Sequence, residues 1–124
     1  MVDVDHFKRV NDEFGHAAGN KVLQTVAATL KSNLRDIDLL ARLGGEEFAI
    51  VLPGANTAAT SATAERLRAA VEAVAAVHEG RLHQAMISLG VAALGSEGFD
   101  PGMALADACL YAAKAAGRNR VVDR

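Results

Sequence analysis

The chain has 124 residues, of which 51% are hydrophobic and 23% are charged, a balance that supports one buried core and excludes a disordered chain. Its 13 Lys and Arg residues against 15 Asp and Glu residues give a formal net charge of −2, which excludes the broad basic surface that binds nucleic-acid polymers. Cys109 is the single cysteine, so there is no disulfide framework, and no apolar run is long enough to span a membrane. We therefore expect one cytoplasmic domain, residues 1–124, that makes no membrane contact.

The first third of the chain predicts a strand and two helices. Met1–Val4 alternates with period two, and Asp5 is placed to cap a helix that ends at Gly15. A second helical pattern runs from Ala17 to about Leu34. Apolar residues form one stripe along this second helix, at Val22, Val26, Leu30 and Leu34. The stripe predicts that this helix covers a sheet.

A hairpin and a long helix are predicted next. Two apolar runs, Leu39–Leu43 and Phe48–Leu52, flank a turn at Gly44 and Gly45, which is typical of a β-hairpin. The alanine-rich stretch from Thr57 to about Val77 then predicts one long helix.

The last third predicts a strand, a helix and a final short strand. The strand covers Met86–Leu94, and Val121-Val122 forms the last one. Between them, Asp100 is placed to cap a helix with Pro101 at its first position, and this helix extends to Ala116. The resulting order predicts an α/β (α+β) domain in which helices cover a mixed sheet.

Four carboxylates lie at the ends of predicted strands. Asp3 and Asp5 close the first strand, and Glu46 and Glu47 follow the glycine pair. Carboxylates at neighbouring strand ends can converge on Mg²⁺, which prefers a few carboxylates together with phosphate oxygens. A solvated polar turn explains the same residues without a metal. The glycines are equally ambiguous, because they suit close approach to a phosphate and also a tight turn.

Three blocks of sequence resemble the GGDEF family, the bacterial diguanylate cyclases. Residues 44–48 resemble the family signature in its G-G-E-E-F form. Residues 3–19 follow the pattern D-x-D-x-F-K-x-x-N-D-x-x-G-H-x-x-G, and residues 114–119 resemble K-x-x-G-R-N. The resemblance implies a ferredoxin-like fold similar to nucleotidyl cyclases and polymerase palm domains, with a mainly antiparallel sheet.

The resemblance also implies a reaction and a metal site. Two GTP molecules would give cyclic di-GMP and two pyrophosphates, with Mg²⁺ or Mn²⁺ as cofactor. It implies that Asp3, Glu46 and the carbonyl of Val4 are metal ligands, that Glu47 supports the metal site, and that Glu46 also helps to deprotonate the 3′-hydroxyl. It also implies that Lys114 and Arg118 neutralise the negative charge that develops on the phosphate. By themselves, these two cations are equally explained by the dipole at a helix C-terminus.

Further positions match substrate contacts of the family. The resemblance places the triphosphate against the backbone at Phe7 and Lys8 and close to Gly44 and Gly45. It implies that Asn11 reads guanine, although Phe7 alone suits a core and Asn11 alone suits a solvated helix surface. Asn20 departs from the family, which usually has Asp there. Because an amide offers one acceptor oxygen, Asn20 cannot accept from both guanine N–H groups.

A second constellation resembles the inhibitory product site of the family. Arg35 and Asp38 fit R-x-x-D five residues before the signature, and Arg66 resembles a second arginine of that site. The alternative is a surface ion pair.

The resemblance has consequences for partners. It implies a homodimer and an upstream sensory or receiver domain. The usual N-terminal helix, a D-x-L-T-G-L-x-N-R-R segment and the first part of strand 1 are missing. A catalytically silent module that binds nucleotide or cyclic di-GMP is therefore the alternative to an enzyme.

Overall fold

The computed structural model describes residues 1–124 and contains seven strands and four helices. In chain order the elements are β1 (Val2–Val4), α1 (Phe7–Phe14), α2 (His16–Ser32), β2 (Leu39–Gly44), β3 (Glu47–Val51), α3 (Thr57–Glu72), β4 (Ala75–His78), β5 (Arg81–Gln84), β6 (Ile87–Val91), α4 (Phe99–Ala115) and β7 (Val121–Asp123). Five strands form one sheet in the order β2-β3-β1-β6-β7, in which only the β6–β7 pair is parallel. This confirms the predicted mixed sheet, which is mainly antiparallel.

The hydrophobic core lies on one face of this sheet. Val2 and Val4 of β1 point into it because alternate residues of a strand face the same side. The stripe predicted on α2 covers them, and each fully buried aliphatic side chain contributes about 1.5–3 kcal/mol. Its buried members include Val22, Val26 and Leu30. Asp3 therefore faces the opposite side of the sheet.

Helix α4 covers part of that opposite side and packs closely against β6. A Cβ atom added at Gly90 would lie 2.0 Å from the carbonyl oxygen of Ala106 and 2.3 Å from the backbone nitrogen of Leu110. Only glycine permits this approach of helix to strand. The contact fixes the position of α4, whose C-terminal end carries Lys114.

The chain after α3 differs from the prediction. The long helix ends at Glu72 rather than near Val77, and Ala75–His78 pairs with Arg81–Gln84 in a separate hairpin. The turn residues Glu79 and Gly80 have φ values of 49° and 75°, as the two-residue hairpin turn requires. This turn, together with pairing, overrides the helix propensity of the alanines.

Two predicted helix starts are also wrong by one or two residues. Asp5 does not cap α1, because His6 occupies the cap position with φ 55° and the helix end has no side-chain cap. Asp100 lies in the first turn of α4, after Gly98 at the cap. In contrast, Gly15 follows α1 as predicted. None of the four helices is both long and apolar enough to cross a membrane.

Strand β1 is shorter than the strands on either side of it. Val2 pairs with Phe48 and Leu89, while β3 continues to Val51 and β6 to Val91. A mainly apolar cavity of about 260 Å³ lies beyond the start of β1, lined by residues of β3, β6, α3 and α4. The Met1 ammonium group lines this cavity and donates to the carbonyl of Gly90 at 2.9 Å.

Candidate functional site

A polar cavity of about 540 Å³ opens where β1 ends. The turn between β1 and α1, the β2–β3 turn and the C-terminal end of α4 converge on it. It is lined by Asp3, Val4, Asp5, His6, Phe7, Lys8, Arg9, Asp12, Glu13, Glu46, Lys114 and Arg118. The sequence blocks at residues 3–19, 44–48 and 114–119 therefore meet in one place, although they are far apart along the chain.

Asp3 and Lys114 form an ion pair at the floor of this cavity. The Lys114 ammonium nitrogen lies 2.9 Å from the Asp3 Oδ2, and Asp3 is only 4% exposed. Burial raises the pKa of Asp3, while the hydrogen bond and the charge of Lys114 lower it; Asp5 raises it and Arg118 lowers it to a smaller extent. The carboxylate thus sits in a site that favours a nearby cation.

The β2–β3 turn places Glu46 beside β1. Gly44 pairs with Glu47, so the turn residues are Gly45 and Glu46 rather than the predicted Gly44 and Gly45. The carbonyl of Glu46 accepts a hydrogen bond from the Val4 backbone N–H at 3.1 Å. The turn is held from the other side by Arg42, whose Nη2 donates to the Gly45 carbonyl at 2.7 Å.

Glu47 is positioned differently from Glu46. Glu47 pairs directly with Asp3 in the sheet but does not line the polar cavity. No three His, Cys, Asp or Glu side chains are gathered closely enough to form a metal centre. The donor chemistry nevertheless fits Mg²⁺ or Mn²⁺, which prefer oxygen ligands. The Asp3 carboxylate, which is paired with Lys114, lines the same cavity as Glu46 and Val4.

The rest of the cavity suits an anionic ligand. Lys8, Arg9 and Arg118 line it together with Lys114, and Arg118 forms no ion pair in the structure. The N-terminus of α1, which has no side-chain cap, opens on the same space. A helix N-terminus and four cations attract phosphate groups. Phe7, in contrast, is 8% exposed and its side chain joins the hydrophobic core, as expected from its type alone.

Asn11 and Asn20 lie outside the polar cavity, where α1 meets α2. The Asn11 Oδ1 is buried without a hydrogen-bond partner. A Cβ at Gly19 would lie 1.8 Å from that oxygen, so the glycine leaves room for the Asn11 amide. Asn20 follows Gly19 directly and is exposed. Residues 11 and 20 are thus brought to the same helix junction, and one of them carries an unsatisfied polar atom.

The predicted inhibitory constellation lies on a different part of the surface. The Arg35 guanidinium holds Asp38 through Nη2–Oδ1 at 2.8 Å and Nε–Oδ1 at 3.1 Å, and also donates to the Pro53 carbonyl. Arg35 lowers the pKa of Asp38, chiefly by this hydrogen bond, and the charge of Arg66 lowers it further. Arg66 itself donates to the Asn33 carbonyl at 2.9 Å. The three residues are therefore neighbours, with Arg35 54% exposed.

Some residues around the site were not predicted. The Asp5 carboxylate accepts from the Ser88 hydroxyl at 2.6 Å and from the Asn119 backbone N–H at 2.9 Å. Ser88 is fully buried in β6. A serine inside an otherwise apolar strand, Ile87–Val91, was the available sequence signal for a buried polar partner.

The comparisons with known proteins agree with this arrangement. Residues 1–120 match the family model described as "Diguanylate cyclase, GGDEF domain". The chain is 45% identical to the diguanylate cyclase DgcP of Pseudomonas aeruginosa over 124 residues, and 42% identical to the response regulator PleD of Caulobacter vibrioides over 128 residues. These matches cover 98% and 100% of this chain, but only 18% and 28% of the length of those two proteins.

A solved structure gives the same answer for the fold. The GGDEF domain of DgcB from Caulobacter crescentus, solved in complex with c-di-GMP, superposes with a TM-score of 0.91 at 33% identity. The superposition covers 98% of this chain and 74% of that one. The expected fold class is confirmed. The chain belongs to the GGDEF domain family.

Proposed function

We propose that this chain is the catalytic domain of a diguanylate cyclase that condenses two GTP molecules into cyclic di-GMP and two pyrophosphates. The observation that carries the proposal is the Asp3–Lys114 pair, buried in a cavity that it shares with Glu46 and Arg118. Carboxylates for a hard cation and basic side chains for phosphate are the two sets of groups that phosphoryl transfer requires. The names of the relatives support the same reaction.

The chemistry follows from which groups face the cavity. Each 3′-oxygen forms a bond to the α-phosphorus of the other GTP, the bond from that phosphorus to the pyrophosphate oxygen breaks, and the 3′-hydroxyl proton is lost. In this proposal Glu46 helps to remove the proton, while Lys114 and Arg118 neutralise the phosphate charge, and all three residues line the cavity. Lys8 and the N-terminus of α1 hold the leaving pyrophosphate.

Asp3, Glu46 and the carbonyl of Val4 would hold Mg²⁺ or Mn²⁺, with Glu47 as a supporting carboxylate behind them. The bound cation would neutralise charge on the α-phosphate. Because Lys114 contacts the same carboxylate, its ammonium group must share Asp3 with the cation or move toward the phosphate. Gly44 and Gly45 have φ values of 142° and 51°, which glycine adopts without strain, and a Cβ built at either position would meet nothing within 4 Å. The space in front of the turn is therefore open to a phosphate group.

The junction of α1 and α2 is proposed to bind guanine. The Asn11 amide supports this, because its Oδ1 is buried against Gly19 without a partner, and rotation of the amide would turn a hydrogen-bonding group toward the base. Asn20 adds only one acceptor where a carboxylate would add two. We therefore expect weak binding of GTP and reduced discrimination against ATP.

Two further parts of the proposal concern assembly and regulation. One cavity presents one GTP, so two chains must face each other, and the homodimer is the active species. Cyclic di-GMP binds to Arg35, Asp38 and Arg66, where planar guanidinium groups suit guanine edges and phosphates. An upstream sensory or receiver domain in a longer cytoplasmic protein would control the dimer. The free, buried Cys109 is consistent with that reducing compartment.

Incubation of the chain with GTP and Mg²⁺, followed by chromatography, separates the enzyme from the silent module. The enzyme produces cyclic di-GMP and pyrophosphate in a 1:2 ratio, and its initial rate per chain rises with protein concentration through the monomer–dimer range. A silent module binds GTP or cyclic di-GMP in calorimetry and yields no product at any protein concentration. A rate strictly proportional to concentration would contradict the dimer.

A further inference from the structure

Two residues other than glycine adopt positive φ values in the segment between α4 and β7. Arg118 has φ 65° and Asn119 has φ 46°. A Cβ atom disfavours this region, and only asparagine and aspartate enter it with some ease. Such backbone persists where surrounding contacts enforce it, which often occurs at functional sites. The contacts of Asn119 show what enforces it here.

Every polar group of Asn119 except its carbonyl has a partner from another element. Its backbone N–H donates to the Asp5 Oδ2 at 2.9 Å. Its side-chain Oδ1 accepts from the Arg68 Nη1 at 3.0 Å, and its Nδ2 donates to the Glu72 carboxylate. We call these four residues, Asp5, Arg68, Glu72 and Asn119, the Asn119 clamp.

Both ends of the Asn119 clamp are fixed. On one side, the second oxygen of Asp5 accepts from the Ser88 hydroxyl of β6. On the other side, Arg68 is only 18% exposed and is paired with Glu65 and Glu72 on α3. The clamp therefore joins the β1–α1 turn, the central sheet and α3 to the segment that follows α4.

The residue held by this arrangement is Arg118. Its side chain lines the polar cavity and forms no ion pair, and its backbone N–H donates to the Ala113 carbonyl at 3.0 Å. With its backbone fixed on both sides, the guanidinium faces the cavity without a partner inside the protein. A cation kept in place but unpaired is preorganised for an anionic ligand.

We propose that the Asn119 clamp positions Arg118 for the triphosphate of the nucleotide, so that Asn119 and Asp5 are positioning residues. Asn119 lies outside the cavity lining, whereas Asp5 lines the cavity and acts through its hydrogen bonds to Ser88 and Asn119. This inference rests on the proposed function, because it takes a nucleoside triphosphate as the ligand of the cavity. It also assigns a role to Asp5 other than metal ligation, since both of its oxygens already accept hydrogen bonds.

Asparagine is the residue type that this position requires. Glycine would keep the backbone conformation and the N–H bond to Asp5, but it would remove both contacts to α3. Aspartate would place a second carboxylate against Glu72, where the amide now donates. The variant Asn119→Gly thus removes the side-chain part of the clamp without adding backbone strain.

The test measures binding, so it needs no turnover. Calorimetry with α,β-methylene-GTP and with GMP is performed on the parent, Asn119→Gly, Arg118→Ala and the double variant. We expect Asn119→Gly to weaken the triphosphate about tenfold, a coupling usual within one hydrogen-bond network, and to leave GMP within twofold of the parent. In the Arg118→Ala background, Asn119→Gly should have no further effect. Asp5→Asn, which weakens the clamp at its other end, should also lower the affinity for the triphosphate and leave the affinity for GMP unchanged.

Asn56→Gly provides the matched control, because Asn56 caps α3 through its contact with the Ala59 N–H and lies outside the cavity. It should lower the melting temperature without changing the ratio of triphosphate to GMP affinity. Equal weakening of both ligands by Asn119→Gly, or a full additive loss in the double variant, would overturn the clamp while the proposed function stands. A parent that bound neither ligand would overturn both.

Discussion

The Lys114 ammonium nitrogen lies 2.9 Å from the Oδ2 of Asp3, a carboxylate that is buried in the central strand β1. The pair joins the C-terminal end of α4 to β1, and it brings the last and the first sequence blocks of the family into contact. A desolvated carboxylate with one cationic neighbour is costly to keep charged. Keeping this charge therefore costs stability, at the position where we propose that a cation and phosphate groups bind.

The first prediction concerns this cost. The pKa of Asp3 is raised in the folded chain, chiefly by burial, so the folded state binds more protons than the unfolded state just above the ordinary value of 3.8. Stability from this group is therefore lost as pH rises from about 3.8 through the raised pKa. Asp3→Asn should unfold at an equal or higher denaturant concentration than the parent at pH 7, and cyclase activity should fall about a hundredfold or more.

Asp36→Asn is the control for Asp3→Asn, because Asp36 is exposed. It should change neither quantity. Marked destabilisation of Asp3→Asn at pH 7 would show instead that the ion pair with Lys114 outweighs the desolvation of Asp3.

The second prediction concerns the start of β1. Burial lowers the pKa of the Met1 ammonium group below its ordinary value of 8.0, so the unfolded chain binds more protons in the interval below pH 8 and stability rises with pH there. Three or four apolar residues added before Met1 would continue β1 into the 260 Å³ cavity and replace the charged group by an amide N–H. We expect a higher melting temperature and loss of that pH dependence.

An extension of equal length made of Gly and Ser is the control, because it moves the ammonium group away from Gly90 without filling the cavity. It should abolish the pH dependence but raise the melting temperature less. Identical melting temperatures for the two extensions would mean that the cavity does not accept a strand.

The elements that could be predicted from the sequence are those whose hydrophobic periodicity agrees with their burial in the fold. The stripe of α2 and the runs flanking Gly44 and Gly45 gave correct elements, because period and burial coincide there. The β4–β5 hairpin was missed, since β4 begins with two alanines that continue the alanine-rich run of α3, and Glu79, unlike glycine, gives no sign of a positive φ. A hairpin that depends on one turn and on strand pairing is hard to distinguish from a helix by amino-acid composition.

Only the site residues that lie in the sequence motifs could be predicted. The sequence blocks named Asp3, Glu46, Lys114 and Arg118, and the structure brings all four to one cavity. It could not indicate that Asp5 bonds Ser88 and Asn119, because that contact depends on residues 83 and 114 positions further along the chain. Long-range polar partners follow from the packing of the sheet and helices.

The third prediction concerns product inhibition. Arg35→Ala removes a bidentate guanidinium from the proposed site of Asp38 and Arg66. Cyclic di-GMP affinity, measured by calorimetry with the GTP site blocked, should fall by about 2 kcal/mol or more, because a charge-assisted contact is lost. Arg81→Ala, which removes a guanidinium stacked on Phe14, should leave the affinity unchanged. If Arg35→Ala left the affinity for cyclic di-GMP unchanged, Arg35 and Asp38 would form only a surface ion pair.

The fourth prediction concerns the base. Asn20→Asp restores a second acceptor at the junction of α1 and α2, so GTP should bind more tightly by about 5- to 150-fold and the preference for GTP over ATP should increase. Asn33→Asp is the control, since Asn33 follows the far end of α2. If Asn20→Asp left both affinities within error of the parent, residue 20 would not contact the base.

The central claim is that Asp3, Glu46 and Lys114 form the centre that joins two GTP molecules. The most direct measurement compares the parent and Glu46→Gln at saturating Mg²⁺ and GTP, by chromatography of cyclic di-GMP formed per minute, after circular dichroism has shown the same fold. Glu46 lies in a two-residue turn held by Arg42, so the isosteric amide should leave the fold unchanged. We predict product from the parent and a loss of about a hundredfold or more in Glu46→Gln. Product formation at the parent rate by Glu46→Gln would contradict this account of the site.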